Sequence, residues 1–419
     1  MRDQDFAKLE HKIEEITAII GNFGLDPFPM RYEVCPSDIL YSIGAYSMPS
    51  RFSHWSFGKA FERMKRQYDF NLSKIYELVI NSNPCYAFLL SNNSLPENEL
   101  IAAHVLGHSD FFKNNLHFAD TQRDMVESMA VTSKRFRKYE FAYGRKEVEL
   151  ILDAGLAIQE HIDPHFRISH HHNDGDCQSS SNKDVIGFIA VNAPNLQDWQ
   201  RDILLELRKE MHYFWPQMET KIMNEGWASY WHIRVMRELD LNEKELLQFA
   251  RMNAFVTAPN RFGINPYHLG LRMFEGLEKM YGRSFIFEVR ERDNDISFIR
   301  NYLTREMVRE MDLYVFNKEE DVWKITSKDW QITKQTLIHS KINGGFPYLT
   351  VKDDDYHGNR ELYLVHKYEG VELDPRYLER TIPYVHQLWG KPVHLETVMD
   401  GKTVLFSYDK ELNRKDLSA

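Results

Sequence analysis

Residues 220–232 read TKIMNEGWASYWH, and this stretch decides how the centre of the protein is built. Its composition predicts a helix, with Glu225 and His232 seven residues apart. At 100° per residue, that spacing returns to within about 20° of the same helix face. A carboxylate among bulky apolar neighbours needs a partner, because burying an unpaired charge is costly. The stretch therefore predicts a buried helix with either a metal ligand or a buried ion pair on one face.

A second segment, ELIAAHVLGHSDFFKNN, places His104 and His108 four residues apart. A helix from about residue 97 to 113 would stack both imidazoles on one face, where they can reach a single metal ion. Gly107 would allow close packing of a neighbouring backbone, at a cost of about 1 kcal/mol in helix propensity. The zinc motif H-E-x-x-H has the same spacing. Here Val105 replaces its glutamate, so the ligand pair is present without the usual general base.

Two histidines from one helix need a third ligand, which is often a carboxylate from a later helix. The element NEGWASY resembles the NEGFA element of the zinc aminopeptidases, whose glutamate is that ligand, and Glu225 occupies the matching position. The sequence thus predicts a gluzincin-like site in which His104, His108 and Glu225 hold zinc, or alternatively iron or manganese. His232 could be a fourth ligand, a proton shuttle or a hydrogen-bond partner of a ligand. The competing interpretation is an ordinary set of core histidines.

The general base must come from elsewhere in the chain. In KEVELILDAGLAIQEHID, predicted as a helix over residues 145–163, Glu149 and Asp153 lie opposite the apolar face. If this helix lines the metal cavity, either carboxylate could act as the base, and His232 is the third candidate. The alternative is that this arc of the helix simply faces solvent.

Composition limits the classes of function. The chain has 419 residues, 43% of them hydrophobic, and a net charge of −10, which is typical of a globular protein and makes nucleic acid an unfavourable partner. Three cysteines without a CxxC pair suit a reducing compartment. Neither a signal peptide nor a run of about 18 apolar residues is evident, so the sequence predicts a cytoplasmic protein with no membrane span. No feature identifies a protein partner.

The pattern of apolar and polar residues changes near residue 319. Residues 1–318 are predicted to form a mostly helical metal-binding domain. From residue 319 to 419, segments such as ELYLVHKY and KTVLFSYDKE alternate apolar and polar residues, which predicts an α+β domain. The predicted fold class is therefore mainly α, with a small C-terminal α+β domain. The segment 169–184, with consecutive histidines at 170–172, is predicted to be a loop that the metal site does not need.

Several long segments resemble one known family. NPCYAFLL, AHVLGHSDFFKNN, KIMNEGWASYWH, GINPYHLG, SFIRNYLT and LYLVHKYEGVELD are similar to the stage V sporulation protein R (SpoVR) family. The resemblance implies a link to the spore cortex, a modified peptidoglycan, although relatives also occur in bacteria that make no spores. It does not specify a reaction.

Together these features predict a metal-dependent hydrolase that acts on an amide or peptide-like bond of a small-molecule or peptide-like substrate. Two alternatives remain open. One is a non-catalytic regulatory or binding protein on a peptidase-like scaffold, and the other is a non-haem iron or manganese enzyme.

Overall fold

The protein is mainly helical. A computed structural model describes residues 3–70, 77–165, 181–260, 262–319 and 322–417. The helices are α1 (Asp3–Asn22), α2 (Ser37–Tyr46), α3 (Trp55–Asp69), α4 (Leu95–Asn114), α5 (Met125–Tyr143), α6 (Arg145–Leu156), α7 (Val185–Asn192), α8 (Asp198–Glu219), α9 (Lys221–Glu238), α10 (Glu243–Val256), α11 (Pro266–Tyr281), α12 (Arg283–Arg292), α13 (Asp295–Tyr302), α14 (Arg305–Glu310), α15 (Trp330–His339) and α16 (Pro375–Trp389).

The strands form three sheets within the described residues. They are β1 (Met30–Cys35), β2 (Glu77–Ile80), β3 (Cys85–Leu90), β4 (Val315–Glu319), β5 (Val322–Ser327), β6 (Leu349–Tyr356), β7 (Glu361–His366), β8 (Val393–Met399), β9 (Lys402–Tyr408) and β10 (Leu412–Asp416). The sheet orders are β1-β3-β2, β4-β5 and β10-β9-β8-β7-β6.

Contacts divide the chain into two compact units that alternate along the sequence. The first unit comprises Met1–Met129 and Pro216–Ile342, and the second comprises Ala130–Trp215 and Asn343–Ala419. Two of the borders fall within helices α5 and α8. The division expected near residue 318 separates two continuous segments, and it stays a prediction of the sequence.

Helix α9 lies at the centre of the first unit, and glycines allow its neighbours to approach closely. A Cβ added at Gly107 of α4 would lie 2.8 Å from the Cα of Ala228 on α9. A Cβ at Gly226 of α9 would overlap the backbone of Gly270 on α11. These contacts bury both α4 and α9 on almost every side. The predicted role of Gly107 in close packing is confirmed.

The second unit is organised around the five-stranded sheet. Strands β7 and β8 pair in parallel, and the other neighbouring strands pair antiparallel. Because parallel strands need a crossover, α16 connects β7 to β8. Its buried side chains, Leu378, Ile382, Val385, Leu388 and Trp389, recur at helical spacing and supply the apolar face that the crossover requires.

Most predicted elements are present, and two predictions about elements are wrong. The predicted strands in residues 321–327, 361–368, 392–400 and 402–411 correspond to β5, β7, β8 and β9. The prolines of the segment PFPMRYEVCP predict a connector, but this segment contains β1, whose backbone pairs in parallel with β3. The helix predicted over residues 145–163 ends at Leu156, where the N–H of Ala157 bonds to the carbonyls of Asp153 and Gly155. His161 therefore lies beyond the helix that carries Asp153.

None of the helices in the described ranges combines the length and the apolar composition needed to cross a bilayer. The histidines at 170–172 and most of the segment 169–184 lie outside the described residues. The prediction that this segment is dispensable for metal binding stays a prediction.

Candidate metal centre

Helices α4 and α9 of the first unit bring the predicted ligands together, and each helix begins at a defined polar cap. At the start of α4, the N–H of Ser94 donates to Glu97 Oε2 at 2.7 Å, as in a capping box. At the start of α9, the buried carboxylate of Asp295 accepts the N–H groups of Ile222 and Met223, both at 3.0 Å. Asp295 thus supplies from α13 the cap that α9 does not obtain from its own N-cap side chain.

The two α4 histidines are held through their Nδ1 atoms. His108 Nδ1 lies 2.7 Å from Asn224 Oδ1. His104 Nδ1 lies 2.8 Å from His232 Nδ1, and His232 Nε2 lies 2.9 Å from Asn253 Oδ1. An amide oxygen only accepts hydrogen bonds, so His108 carries a proton on Nδ1 and His232 carries one on Nε2.

The same chain of hydrogen bonds decides the tautomer of His104. Burial and the neighbouring His104 lower the pKa of His232 to about 3, so this ring is neutral and has a single proton. That proton faces Asn253, and His232 Nδ1 must therefore accept one from His104 Nδ1. With Nδ1 engaged by its anchor, each of His104 and His108 directs Nε2 away from that anchor. This is the arrangement found in metal-binding histidines.

Both Nε2 atoms point towards carboxylate oxygens. Glu225 Oε2 lies 3.5 Å from His104 Nε2 and 3.4 Å from His108 Nε2, while Glu77 Oε1 lies 3.3 Å from His104 Nε2. Candidate ligand atoms of Glu77, His104 and His108 all lie within 4.8 Å of one another. We call Glu77, His104, His108 and Glu225 the buried cluster. Its geometry sets lone pairs against lone pairs, which is unfavourable unless a proton or a metal ion lies between them.

Two atoms of the buried cluster lack a hydrogen bond of good geometry. His104 Nε2 and Glu225 Oε2 are fully buried and unsatisfied. The other oxygen of Glu225, Oε1, pairs with Lys221, whose side chain is about half exposed. Buried polar atoms are normally satisfied, so these two atoms mark a place where a cation fits.

The charges in the cluster favour a cation. Burial raises the pKa of Glu225, but Lys221 and His108 outweigh burial and hold the pKa well below its usual range. Burial lowers the pKa of His104, but the charges of Glu77 and Glu225 outweigh it and the net shift is upward. The carboxylates of Glu77 and Glu225 outnumber the ammonium of Lys221 by one negative charge, which favours the binding of a cation.

A cavity of about 360 Å³ opens beside the buried cluster. Its polar end is formed by Glu77, His104, His232, Asn265 and Tyr267, and its apolar walls by Leu100, Ile101, Met252, Phe255 and Val256. This volume lies in the range of small-molecule sites. Burial, together with the charges of Glu225 and Glu77, raises the pKa of Tyr267, so its hydroxyl keeps its proton and can donate to Glu225.

The structure brings four of the predicted site residues into one unit and leaves two in the other. In the first unit, His104 and His108 contact Glu225, and His232 contacts His104. His232 contacts the predicted ligand His104, and which of its three considered roles it plays stays a prediction. Glu149 and Asp153 lie on α6 of the second unit, and their role as general base stays a prediction.

Glu77 was missed in the sequence. Its only signal is a lone carboxylate at the start of the apolar run ELVI in β2. The strand reaches the histidines through its pairing with β3, and that pairing is not visible in local periodicity.

Comparison with known proteins identifies the family. The family described as "SpoVR like protein" matches residues 3–182 and 169–346, and the "SpoVR-like C-terminal domain" matches residues 347–400. The chain therefore belongs to the SpoVR family. A relative, "Uncharacterized protein YcgB" from Escherichia coli (strain K12), is 27% identical over 473 aligned positions, covering 94% of this chain and 92% of the relative. No solved structure gives a significant match.

Proposed function

We propose that this SpoVR-family protein is a metal-dependent hydrolase acting on an amide or peptide-like bond. The observation that carries the proposal is that His104 Nε2 and His108 Nε2 lie 3.5 and 3.4 Å from the same oxygen, Glu225 Oε2, while Asn224 and Asn253 fix the hydrogen bonding of the rings. Two imidazole nitrogens and one carboxylate oxygen are the protein ligands of many catalytic zinc sites. The unsatisfied state of His104 Nε2 and Glu225 Oε2 at the point of convergence supports a cation there.

His104, His108 and Glu225 would hold the metal ion in this proposal. When bound, the ion would supply Lewis acidity and lower the pKa of a water molecule towards about 7. Glu77 is then the best-placed proton acceptor, because its carboxylate lines the cavity and lies 3.3 Å from His104 Nε2. Glu77 would act as the general base, a role that the side chain of Val105 cannot perform.

The remaining polar groups suit the binding of an amide. Tyr267 keeps its proton and faces the cavity, so its hydroxyl can donate a hydrogen bond to a carbonyl oxygen or to a departing amine. Leu100, Met252 and Val256 offer an apolar wall for a side chain of the substrate. Because the family is associated with the spore cortex, we infer that the amide bond to be hydrolysed lies in the peptide bridges of peptidoglycan.

A second candidate function rests on Glu77. If its carboxylate is a ligand and not a base, the donor set becomes two histidines and two carboxylates, which also suits iron or manganese. A helical site with this donor set is the kind used for oxygen-dependent chemistry. The identity of the metal and the visible spectrum after aerobic purification separate the two functions.

Elemental analysis of the purified protein, beside the variant His104→Ala, tests the proposal. We expect stoichiometric zinc in the wild type, a loss of that zinc in His104→Ala, and metal-dependent release of new amino groups from peptidoglycan peptides. His117→Ala is the matched control. Its Nδ1 pairs with Glu219 Oε1 at 3.0 Å in the same unit, outside the cluster. Zinc at the wild-type level in His104→Ala would refute the site, and zinc binding without hydrolysis would favour the non-catalytic alternative.

A further inference from the structure

A second group of metal-ligating side chains lies in the five-stranded sheet of the second unit. His357 is in the turn between β6 and β7, Glu361 begins β7, and His394 is on β8. His394 Nε2 lies 2.9 Å and His357 Nδ1 lies 3.2 Å from the same oxygen, Glu361 Oε2. We call these three residues the turn cluster. It shares no residue with the buried cluster and plays no part in the proposed hydrolysis.

The spacing of these atoms matches that of ligands around one ion. Candidate ligand atoms of the three residues all lie within 4.8 Å of one another. Ligands about 2.1 Å from a metal are separated by roughly 3.0 Å in octahedral and 3.4 Å in tetrahedral geometry. The two observed separations lie close to this range, so a cation requires only small movements of the side chains.

The rings on both sides of Glu361 are positioned by their own contacts. His394 Nδ1 lies 2.8 Å from Ser407 Oγ on β9, and a hydroxyl can accept from or donate to that nitrogen. His394 can therefore present Nε2 as a lone pair while Nδ1 donates to Ser407. This is the same arrangement that orients the histidines of known metal sites.

The backbone of the turn places His357 and Arg360 in the left-handed region. His357 has φ +59°, in the left-handed region, which is costly for a residue with a Cβ. Asp355 stabilises the turn by accepting the N–H of Gly358 on its carbonyl and that of Arg360 on Oδ1, both at 2.8 Å. These two bonds fix the backbone of the turn and so the position from which the His357 side chain extends.

We propose that His357, Glu361 and His394 form a second, solvent-accessible site for a divalent transition metal ion. Two imidazoles and one carboxylate on one side of the ion favour iron, cobalt, nickel or zinc over magnesium or calcium. The His357 side chain is 57% exposed, whereas that of His394 is 9% exposed. The ion would thus enter from solvent and keep coordination positions for water or a small anionic ligand.

Cobalt titration of the untagged, metal-free full-length chain tests this site. Visible absorption reports Co²⁺ bound by nitrogen and oxygen ligands, and we compare the wild type with Glu361→Gln and His357→Asn. Glutamine preserves the shape of the side chain, and asparagine tolerates the left-handed turn. Each variant should bind one Co²⁺ fewer, or bind the last equivalent at least about 100-fold more weakly. Loss of a residue that only hydrogen-bonds to a ligand already costs ~10–100-fold in metal affinity, so loss of a ligand itself should cost at least as much.

Two controls separate this site from other histidines. His386→Ala removes a histidine of the same unit whose Nε2 lies 3.7 Å from Asp409, and it should leave the stoichiometry unchanged. Replacing His170, His171 and His172 by serine removes binding by the predicted loop. Equal cobalt stoichiometry and affinity in wild type, Glu361→Gln and His357→Asn would overturn the proposal.

The result does not depend on the buried cluster. In a His104→Ala background, the turn cluster should still bind one Co²⁺, and Glu361→Gln should abolish that binding. If the buried cluster binds no metal, the wild type still loses its single equivalent on Glu361→Gln. A His104→Ala protein that binds no Co²⁺ would refute the second site whatever the outcome at the first.

Discussion

The buried cluster and the turn cluster use the same kinds of side chain, and they differ in that one histidine of the turn cluster is exposed to solvent. His104, His108 and Glu225 are between 2% and 4% exposed, whereas the side chain of His357 in the turn cluster is 57% exposed. In the buried cluster, each α4 histidine is anchored through Nδ1 to a buried partner, and Lys221 offsets part of the negative charge. In the turn cluster, water can form hydrogen bonds with the solvent-exposed polar atoms.

This difference shows what burial demands of a metal site. A buried donor must have every other atom satisfied, because an unmet polar group costs about 1–3 kcal/mol. An exposed donor has no such requirement, so three residues near a turn are sufficient. The buried cluster should therefore bind its ion tightly, with an affinity that depends on residues distant in sequence. The turn cluster should exchange its ion readily, with an affinity that depends on few residues beyond the ligands.

Glu225→Gln should have the largest effect. It removes a ligand charge from the buried cluster, so the corresponding metal ion should be lost and hydrolysis should fall at least about 10⁴-fold, since a catalytic metal supplies several kcal/mol. Metal analysis and an amine-release assay measure both effects. Glu361→Gln should lower metal stoichiometry equally without that loss of activity. Full metal content in Glu225→Gln would contradict a single site built on Glu225.

Glu77→Gln distinguishes a base from a ligand. As a general base, Glu77 should be worth about 10²- to 10⁴-fold in rate, with metal content unchanged. Steady-state kinetics on metal-loaded protein, beside elemental analysis, would show this. Loss of metal together with activity would make Glu77 a ligand and favour the iron or manganese function. An unchanged rate would exclude Glu77 as the general base.

Gly226→Ala tests the dependence of the buried cluster on close helix packing. The added Cβ would overlap the Gly270 backbone, so we expect unfolding free energy to fall by about 3 kcal/mol, or roughly a hundredfold in the folding equilibrium. Gly58→Ala is the control. No atom lies within 4 Å of a Cβ at Gly58, and it should stabilise α3 by about 0.5–1 kcal/mol. Urea denaturation compares them, and equal stability of the two variants would contradict the packing argument.

Asn224→Ala tests the anchoring of a buried ligand. Without its acceptor, His108 can adopt the other tautomer, and metal affinity of the buried cluster should fall by about 10–100-fold. Competition with a chromophoric chelator measures the change. The same substitution at Ser407, which contacts His394, should cost the turn cluster less, because water can replace the hydroxyl. A larger loss at Ser407 than at Asn224 would reverse the comparison of the two clusters.

Asp295→Asn should change how stability depends on pH. Burial raises the pKa of Asp295 to about 7, although the N–H groups of Ile222 and Met223 act in the opposite direction. Between the ordinary pKa near 3.8 and about 7, the native state keeps a proton that the unfolded state has released. Wild-type stability should therefore fall across this window as pH rises, by up to about 1.4 kcal/mol per pH unit, and level off above it.

Asp295→Asn should remove that slope, as thermal unfolding from pH 4.5 to 8 would show. Asp329→Asn is the control for losing a cap alone, since Asp329 accepts two N–H groups at the start of α15 while exposed to solvent. A wild-type slope that persists in Asp295→Asn would assign the pH dependence to other groups.

The sequence by itself determined the local part of the buried cluster. The four-residue spacing of His104 and His108 placed both imidazoles on one helix face, and the composition around Glu225 indicated burial. Gly107 predicted a close helix contact, which the approach to Ala228 confirms. Period-two alternation gave the main C-terminal strands. All of these predictions follow from the periodicity of side chains along one helix or one strand, which residues close in sequence specify.

Only the tertiary structure decided which distant residues complete each cluster. Glu77 reaches the histidines through strand pairing, and Asn253 sets the tautomer of His104 through His232. His357 and His394 meet because β7 and β8 are parallel neighbours across a helical crossover. The two units also alternate along the chain. Such contacts depend on how separate elements pack. The local pattern of apolar residues cannot predict this packing, because it shows which face of a helix or strand is buried but not which element covers that face.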